Sequence, residues 1–300
     1  MGSRVRLLLP LLLVAFAAPA LMARQDGVKK SMFVSVLDAS GRPVRDFTAA
    51  DIAIREDGQD RTVVEVKPAS KPISVALLID TAQGKRVSDA YGSIEEYARD
   101  IRVGAAAFME QLTTLAPESQ VSLWEFAQAA TVIQKYTSDL AEFQKAVTKL
   151  APRPNVGSVL GEALAAAGQD LAKRETPRRA IVSVNLEPSD DQSVETAAPI
   201  RDALRKSGAQ VWALSVQRGA LTNSTKGVVL NDFAKMSGGH HEFITDISAV
   251  TNILKAFANA LAMQYEVVYL RPSSAKGAKV IQTGTAHDGM QIHASIFPPQ

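Results

Sequence analysis

The hydrophobic residues of the chain form short unbroken runs separated by segments with helical spacing. The clearest run covers residues 75–79 and ends at Asp80, which a polar, glycine-containing loop follows. An apolar run without alternation is typical of a strand covered on both faces, as in a central parallel sheet. Polar groups just beyond such a strand lie at the carboxyl edge of the sheet, where open α/β folds usually bind ligands. Asp80 is therefore the first candidate site residue.

Strands and helices are predicted to alternate after this run. A long helix is predicted from apolar residues that recur every three or four positions, namely Ile94, Ala98, Ile101, Ala105, Phe108 and Leu112. Further strands are predicted at residues 121–126, 131–136, 180–184, 211–216 and 265–270, with helical segments between them. This order predicts an α/β domain with a doubly wound, mostly parallel sheet.

The two ends of the chain have strand composition. Residues 31–37 alternate between apolar and other positions, and the tail carries two strand-like segments around Asp288-Gly289, which predicts a hairpin. We infer that both ends build one small β module beside the α/β domain. The predicted domains are a signal peptide at 1–23, an N-terminal β module and linker at 24–71, the α/β domain at 72–272 and a C-terminal β hairpin at 273–300.

The first 23 residues have the pattern of an export signal. Two arginines precede the apolar run 7–16, and small residues follow up to Ala20 or Ala23, the two candidate cleavage sites. A membrane anchor is the alternative, but the stretch contains two prolines and is shorter than the ~20 residues of a span. We expect a periplasmic, secreted or cell-surface protein with no stable membrane span after cleavage.

Charge and cysteine content narrow the possible partners. Removal of the two signal arginines from the 33 basic residues leaves 31, which equals the 31 acidic residues. A neutral mature chain gives no electrostatic basis for binding nucleic acid or an anionic membrane. The chain has no cysteine, which excludes disulfides, thiolate metal sites and cysteine nucleophiles.

Several motifs together resemble a von Willebrand factor A domain, and more narrowly the exported bacterial VWFA-related proteins. The resemblance runs from about Phe33 to the C-terminus. The segments that carry it include VSVLDASGRPVRDFTAADIAIREDGQ, ISVALLIDTAQG, VSLWEFA, YTSDLAEFQKAV, VGSVLGEAL, RRAIVSVNLE and LNDFAKMSGGHHEFI. The resemblance implies an A-type α/β domain with flanking β segments, and a function in binding rather than catalysis.

The resemblance also implies a metal-ion-dependent adhesion site at the carboxyl edge. That site takes Asp-x-Ser-x-Ser, a threonine and a later aspartate, whose oxygens suit a hard cation such as Mg²⁺. Asp80 matches the first carboxylate, and Ser158 replaces the threonine. Ala82 and Gly84 stand at the two serines, and Leu186 stands at the later aspartate. We therefore expect a degenerate site without a cofactor, with Mg²⁺ binding as the alternative.

The favoured function is non-catalytic binding of a protein partner through the loops at this edge. The candidate ligand-binding residues are Asp80, Thr81, Gln83, Ser158, Asn185, Glu187, Asp190 and Asp191. Three alternatives stay open: divalent-cation-dependent binding through a rearranged site at Asp80, a structural role in envelope assembly, and an extracytoplasmic hydrolase that uses Asp80.

Other chemical motifs are incomplete. His240-His241 lacks the i, i+4 spacing of a helical zinc site, and adjacent strand residues point to opposite faces. Gly84-Lys85 lacks the first glycine and the Ser or Thr of a phosphate-binding loop. We therefore expect no catalytic residue and no enzymatic activity.

Overall fold

The computed structural model contains two six-stranded sheets and six α-helices among the residues that it describes. The described residues are 27–83, 94–186, 191–217, 225–275 and 277–299. The predicted signal peptide at 1–23 and the site positions Gly84, Glu187 and Asp190 lie outside them.

The strands are β1 (Gly27–Leu37), β2 (Ala53–Glu56), β3 (Gln59–Pro68), β4 (Ile73–Asp80), β5 (Ala82–Gln83), β6 (Gln120–Phe126), β7 (Ala130–Thr137), β8 (Arg153–Pro154), β9 (Arg178–Leu186), β10 (Gln210–Val216), β11 (His240–Ile244), β12 (Tyr265–Pro272), β13 (Ile281–Gly284) and β14 (Gln291–His293). The helices are α1 (Ile94–Leu115), α2 (Leu140–Val147), α3 (Leu160–Leu171), α4 (Ala197–Ser207), α5 (Thr225–Ser237) and α6 (Val250–Ala262).

The first sheet is the predicted doubly wound sheet. Its order is β11-β10-β9-β4-β6-β7, and every neighbouring pair is parallel except β6 and β7. All eight residues of β4 are buried, as expected for a central strand with helices on both faces. The predicted fold class is confirmed, and Asp80 lies at the carboxyl end of a central strand.

Alternate residues of β4 divide the core into two layers. Val75, Leu77 and Ile79 pack with apolar residues of α1, α2 and α6 on one face. Ala76 and Leu78 pack with α3, α4 and α5 on the other. Because successive strand residues point to opposite faces, one uninterrupted apolar run serves both layers. Truncating a fully buried leucine such as Leu77 to alanine is expected to cost about 2–5 kcal/mol.

The second sheet is antiparallel and uses strands from both ends of the chain. Its order is β13-β2-β3-β12-β1-β14. A separate cluster of apolar residues, among them Val34, Ile54, Tyr269 and Ile281, forms its core. Residues near the N-terminus are thus paired with residues near the C-terminus, as the strand composition of both ends predicted.

Two details of the predicted organisation differ in the structure. Strand β12 was placed in the α/β domain by the boundary at residue 272, but it lies between β1 and β3 in the second sheet. In the predicted C-terminal hairpin the turn is present, with the Met290 N–H bonded to the His287 oxygen, and the Ile281 N–H donates to the Ile296 oxygen. The two strands do not form a ladder with each other, because β13 pairs with β2 and β14 pairs with β1. Local composition gives strand tendency, whereas partners distant in sequence decide which strands pair.

Arg178, the first residue of β9, connects the two sheets. Its guanidinium donates hydrogen bonds to the backbone oxygens of Lys71, Leu261 and Ala262 and to the side-chain oxygen of Gln264. The carbonyls of Leu261 and Ala262 are at the C-terminal end of α6, where unpaired oxygens and the helix dipole favour a cation. Burial lowers the pKa of Arg178 to about 10. This arginine fixes the linker between the two sheets.

Candidate functional site

Asp80 is held by the backbone at the carboxyl edge of the first sheet. Its side chain is 0% exposed. Oδ1 accepts a hydrogen bond from the backbone N–H of Ala82 at 3.0 Å, and Oδ2 accepts one from the N–H of Leu186 at 3.2 Å. Since Leu186 ends β9, the carboxylate joins the ends of two neighbouring strands.

Lys226 contacts the same carboxylate from the first turn of α5. Its Nζ lies 3.0 Å from Asp80 Oδ2 and 3.3 Å from the backbone oxygen of Leu186. The Lys226 side chain is 2% exposed, so both members of the pair are buried. The two charges neutralise each other in a place where either alone would be strongly unfavourable. A lysine ammonium thus contacts the first carboxylate of the predicted metal site.

Sequence reasoning did not identify Lys226. A cation in the first turn of a helix is disfavoured by the helix dipole, which favours negative charge there. That position was the one available signal, because a lysine at a helix start, where the dipole disfavours it, suggests a specific partner. The partner is Asp80, which precedes it by 146 residues. No spacing rule connects residues so far apart.

Other predicted site residues lie beneath the surface. Thr81 and Gln83 are buried and follow Asp80 directly, and Ser158 and Asn185 are fully buried. The Asn185 amide donates hydrogen bonds to the Ser183 hydroxyl at 3.1 Å and to the Leu214 carbonyl oxygen at 3.2 Å, so it points into the sheet. The structure therefore assigns Asn185 a packing contact between strands β9 and β10.

Asp191 is the most exposed of the predicted site residues that the structure describes. It forms a parallel β-bridge with Ser158, and the N–H of Gln192 donates to the Ser158 oxygen at 2.8 Å. Asp191 Oδ1 accepts hydrogen bonds from the backbone N–H and the hydroxyl of Ser193. Two predicted loops are thus brought together, but the carboxylate of Asp191 caps its own loop.

A strap of residues 151–155 crosses the site and provides its exposed groups. Within it, β8 pairs with β5: the N–H of Arg153 donates to the Thr81 oxygen, and the N–H of Asn155 donates to the Gln83 oxygen, both at 2.7 Å. The Arg153 guanidinium donates to Glu125 Oε1 at 2.7 Å. The Arg153 side chain is nevertheless 50% exposed, so its charge is available at the surface. Sequence analysis did not select Arg153.

The residues around Asp80 do not suit Mg²⁺. This ion takes six oxygens in near-octahedral geometry. Ala82 and Leu186 are buried hydrocarbon side chains at two of the positions where the family has oxygens. Lys226 brings a positive charge to within 3.0 Å of the remaining carboxylate, where it would repel a divalent ion. Among the described residues, the positions of Ala82 and Leu186 therefore supply no side-chain oxygen to the ligand set that the resemblance implies.

The two adjacent histidines of β11 point to different neighbours. His241 Nε2 shares a hydrogen bond with the Ser215 hydroxyl at 2.8 Å, while His240 lies beside Trp212 and Glu242. Within the described ranges, no cluster of three or more His, Asp or Glu side chains could hold a metal ion.

Several solved structures are similar to this chain in fold. A von Willebrand factor type A protein from Catenulispora acidiphila is 12% identical, and the match covers 91% of this chain and 75% of that one with a TM-score of 0.51. The chain has the von Willebrand factor A fold. Proximal thread matrix protein 1 from the mussel byssus is 14% identical over 65% of this chain, with a TM-score of 0.50, and this chain spans half its length.

The von Willebrand A fold is recognisable here by architecture and not by close sequence similarity. No protein-family model and no curated protein matches the sequence. In the part of the chain that the structure describes, no helix is both long and apolar enough to cross a membrane. The chemistry at the carboxyl edge of this A-type fold must be deduced from its own residues.

Proposed function

We propose that this protein is a non-catalytic binding protein that engages a protein partner through the carboxyl edge of its first sheet. Domains with the von Willebrand A fold commonly mediate protein interactions. The pattern of residues 1–23 supports a location outside the cytoplasm. Because Asp80 is buried in an ion pair, it is poorly placed to act as a general base or nucleophile on a substrate.

The observation that carries this proposal is the exposed, well-supported strap above Asp80. Two backbone hydrogen bonds fix the strap, and Glu125 orients the Arg153 guanidinium while leaving half of its surface open. An arginine held in this way loses little side-chain entropy on binding and can take a carboxylate in a bidentate contact. The partner group expected at this edge is an acidic side chain.

A pull-down with two matched arginine variants tests the proposal. Purified protein, Arg153→Ala and Arg205→Ala are immobilised and exposed to an envelope extract of the source organism, with and without chelator. Arg205 is a suitable control because it is 57% exposed and pairs with Asp202 at 3.0 Å. It lies near the other end of the sheet, beside Arg178 at the start of β9.

We expect a partner protein that binds wild type and Arg205→Ala but does not bind Arg153→Ala, both with and without chelator. A partner retained equally by both variants would place the binding surface elsewhere. Partner binding that disappears with chelator would instead support the cation-dependent alternative. A reproducible Asp80-dependent hydrolytic rate would contradict the non-catalytic proposal.

Location is tested on the native protein. We expect mass spectrometry of the protein from its own cells to find a mature N-terminus directly after Ala20 or Ala23. An intact N-terminus in the cytosolic fraction would contradict export.

A further inference from the structure

We propose that the Lys226 ammonium is a built-in cation that takes the place of the divalent ion at this A-type site, so that the site is filled permanently and works without metal. The proposal rests on the A-type fold and on the contacts of Asp80, and it is independent of the identity of any partner. It extends the proposed function by making that function insensitive to divalent cations.

The position of the ammonium supports this role. It lies 3.0 Å from Asp80 Oδ2, after β4, and 3.3 Å from the backbone oxygen of Leu186, at the end of β9. It comes from α5, a third element of the same edge. A bound cation joins loops in this way by attracting oxygens from several of them. Here a covalently attached cation joins two strand ends and a helix.

The residues near Asp80 that stand where the family has oxygen ligands are consistent with an ammonium and unfavourable for a divalent ion. An ammonium carries one charge and three donors, so one carboxylate balances it and few further oxygens are needed. Ala82 and Leu186 supply no side-chain oxygen, but the backbone of each still contacts this network through the hydrogen bonds to Asp80. At these two described positions the site lacks side-chain oxygens for a divalent ion, and the Lys226 ammonium lies against Asp80 instead.

Burial makes the replacement permanent. Lys226 is 2% exposed and Asp80 is 0% exposed. Withdrawal of the ammonium would take its positive charge away from a buried carboxylate, which is strongly unfavourable. A soluble divalent ion would have to displace the lysine and would then meet only part of a ligand set. We therefore expect Mg²⁺ and Mn²⁺ to compete poorly at any physiological concentration.

Thermal unfolding with chemical rescue tests the proposal. Melting temperatures are measured for wild type, Lys226→Ala and the control Lys255→Ala, which removes an exposed lysine from α6. Each is measured with EDTA, with millimolar Mg²⁺ or Mn²⁺, and with ethylammonium or tetramethylammonium chloride at equal ionic strength. Ethylammonium has N–H donors and can replace the missing buried ammonium, whereas tetramethylammonium has no N–H donor.

We expect wild type and Lys255→Ala to melt at the same temperature in EDTA and in either metal. Lys226→Ala should melt about 10 °C lower, and ethylammonium but not tetramethylammonium should raise its melting temperature. An increase of the wild-type melting temperature in Mg²⁺ that Asp80→Ala abolishes would overturn the proposal. So would a Lys226→Ala protein as stable as Lys255→Ala.

If Lys226→Ala does not fold, a double variant that replaces both charged residues with neutral ones still tests the proposal. We expect Asp80→Asn/Lys226→Met to melt higher than either single variant, because each single change leaves one polar or charged partner buried without its counterpart. A double variant whose loss equals the sum of the single losses would show that the two groups are uncoupled and would refute the built-in cation. These measurements use no partner, so their result is separate from that of the pull-down.

Discussion

Two of the buried carboxylates in the described part of the chain, Asp80 and Glu56, are balanced in different ways. Asp80, at the edge of the parallel sheet, contacts the ammonium of Lys226 and two backbone N–H groups. Glu56, in the antiparallel sheet, is 1% exposed and is bonded by the guanidinium groups of both Arg271 and Arg61 and by the Tyr269 hydroxyl. Among the described residues, the Asp80 carboxylate is paired with a lysine, and the Glu56 carboxylate is shared by two arginines.

The difference follows from the position of each carboxylate in the fold. Glu56 ends β2, and its arginine and tyrosine partners come from β3 and β12, so the network joins segments separated by more than 200 residues. It is suited to stabilising the flanking sheet. Asp80 lies at the edge where this fold class binds ligands, and its pair occupies a site where a removable ion is expected. The same chemistry is structural in one region and replaces an ion in the other.

The largest effect is expected when Lys226 is removed from Asp80. Lys226→Met should lower the free energy of unfolding by about 3–5 kcal/mol, because it takes the lysine's charge away from the buried carboxylate. Urea denaturation measured by circular dichroism reports this loss. A decrease below about 1 kcal/mol would mean that solvent or backbone groups already balance the carboxylate.

The second-largest loss of stability is expected from the Glu56 network during acid unfolding. Burial alone would raise the pKa of Glu56, but hydrogen bonds from Arg271, Tyr269 and Arg61 outweigh it and lower the pKa to about 2, against an ordinary value of 4.5. The unfolded chain therefore takes up this proton first as the pH falls. The contribution of roughly 3 kcal/mol is complete above pH 4.5 and is lost between about pH 4.5 and 2. Glu56→Gln should remove this part of the pH profile.

A smaller loss is expected at milder pH in the first sheet. Burial, with a minor contribution from the charge of His240, lowers the pKa of His241 from 6.5 to about 4. The unfolded chain binds the proton first, so stability should decrease as the pH falls from about 6.5 to 4, by about 2 kcal/mol at pH 5. Urea unfolding at several pH values measures the slope. His241→Gln should flatten it above pH 5, while Glu56→Gln should leave that slope unchanged.

The smallest effect is expected at the second arginine of the Glu56 network. Arg61→Met should lower the free energy of unfolding by about 1 kcal/mol, because Arg271 and Tyr269 continue to bond the carboxylate. Urea denaturation of Arg61→Met and Lys226→Met side by side compares the stability lost at Glu56, which two arginines bond, with the stability lost at Asp80, which Lys226 bonds. If Arg61→Met were as damaging as Lys226→Met, the two arginines would not substitute for each other.

The sequence by itself determined the central strand, the alternation of strands and helices, and the position of Asp80 at the carboxyl edge. These follow from local patterns: an unbroken apolar run, apolar spacing of three and four, and a polar residue where the run ends. The absence of side-chain oxygens at Ala82 and Leu186 was also readable, because the family resemblance implies an oxygen ligand at each of these positions.

Only the tertiary structure decided which distant groups meet. It placed β12 in the flanking sheet, separated β13 from β14, and brought Lys226 across 146 residues to Asp80. Strand pairing and buried ion pairs depend on three-dimensional proximity, and residues that meet in this way share no spacing along the chain. A lysine in the sequence has the same appearance whether it is solvated or fixed against a buried carboxylate, so its role became visible only in the folded chain.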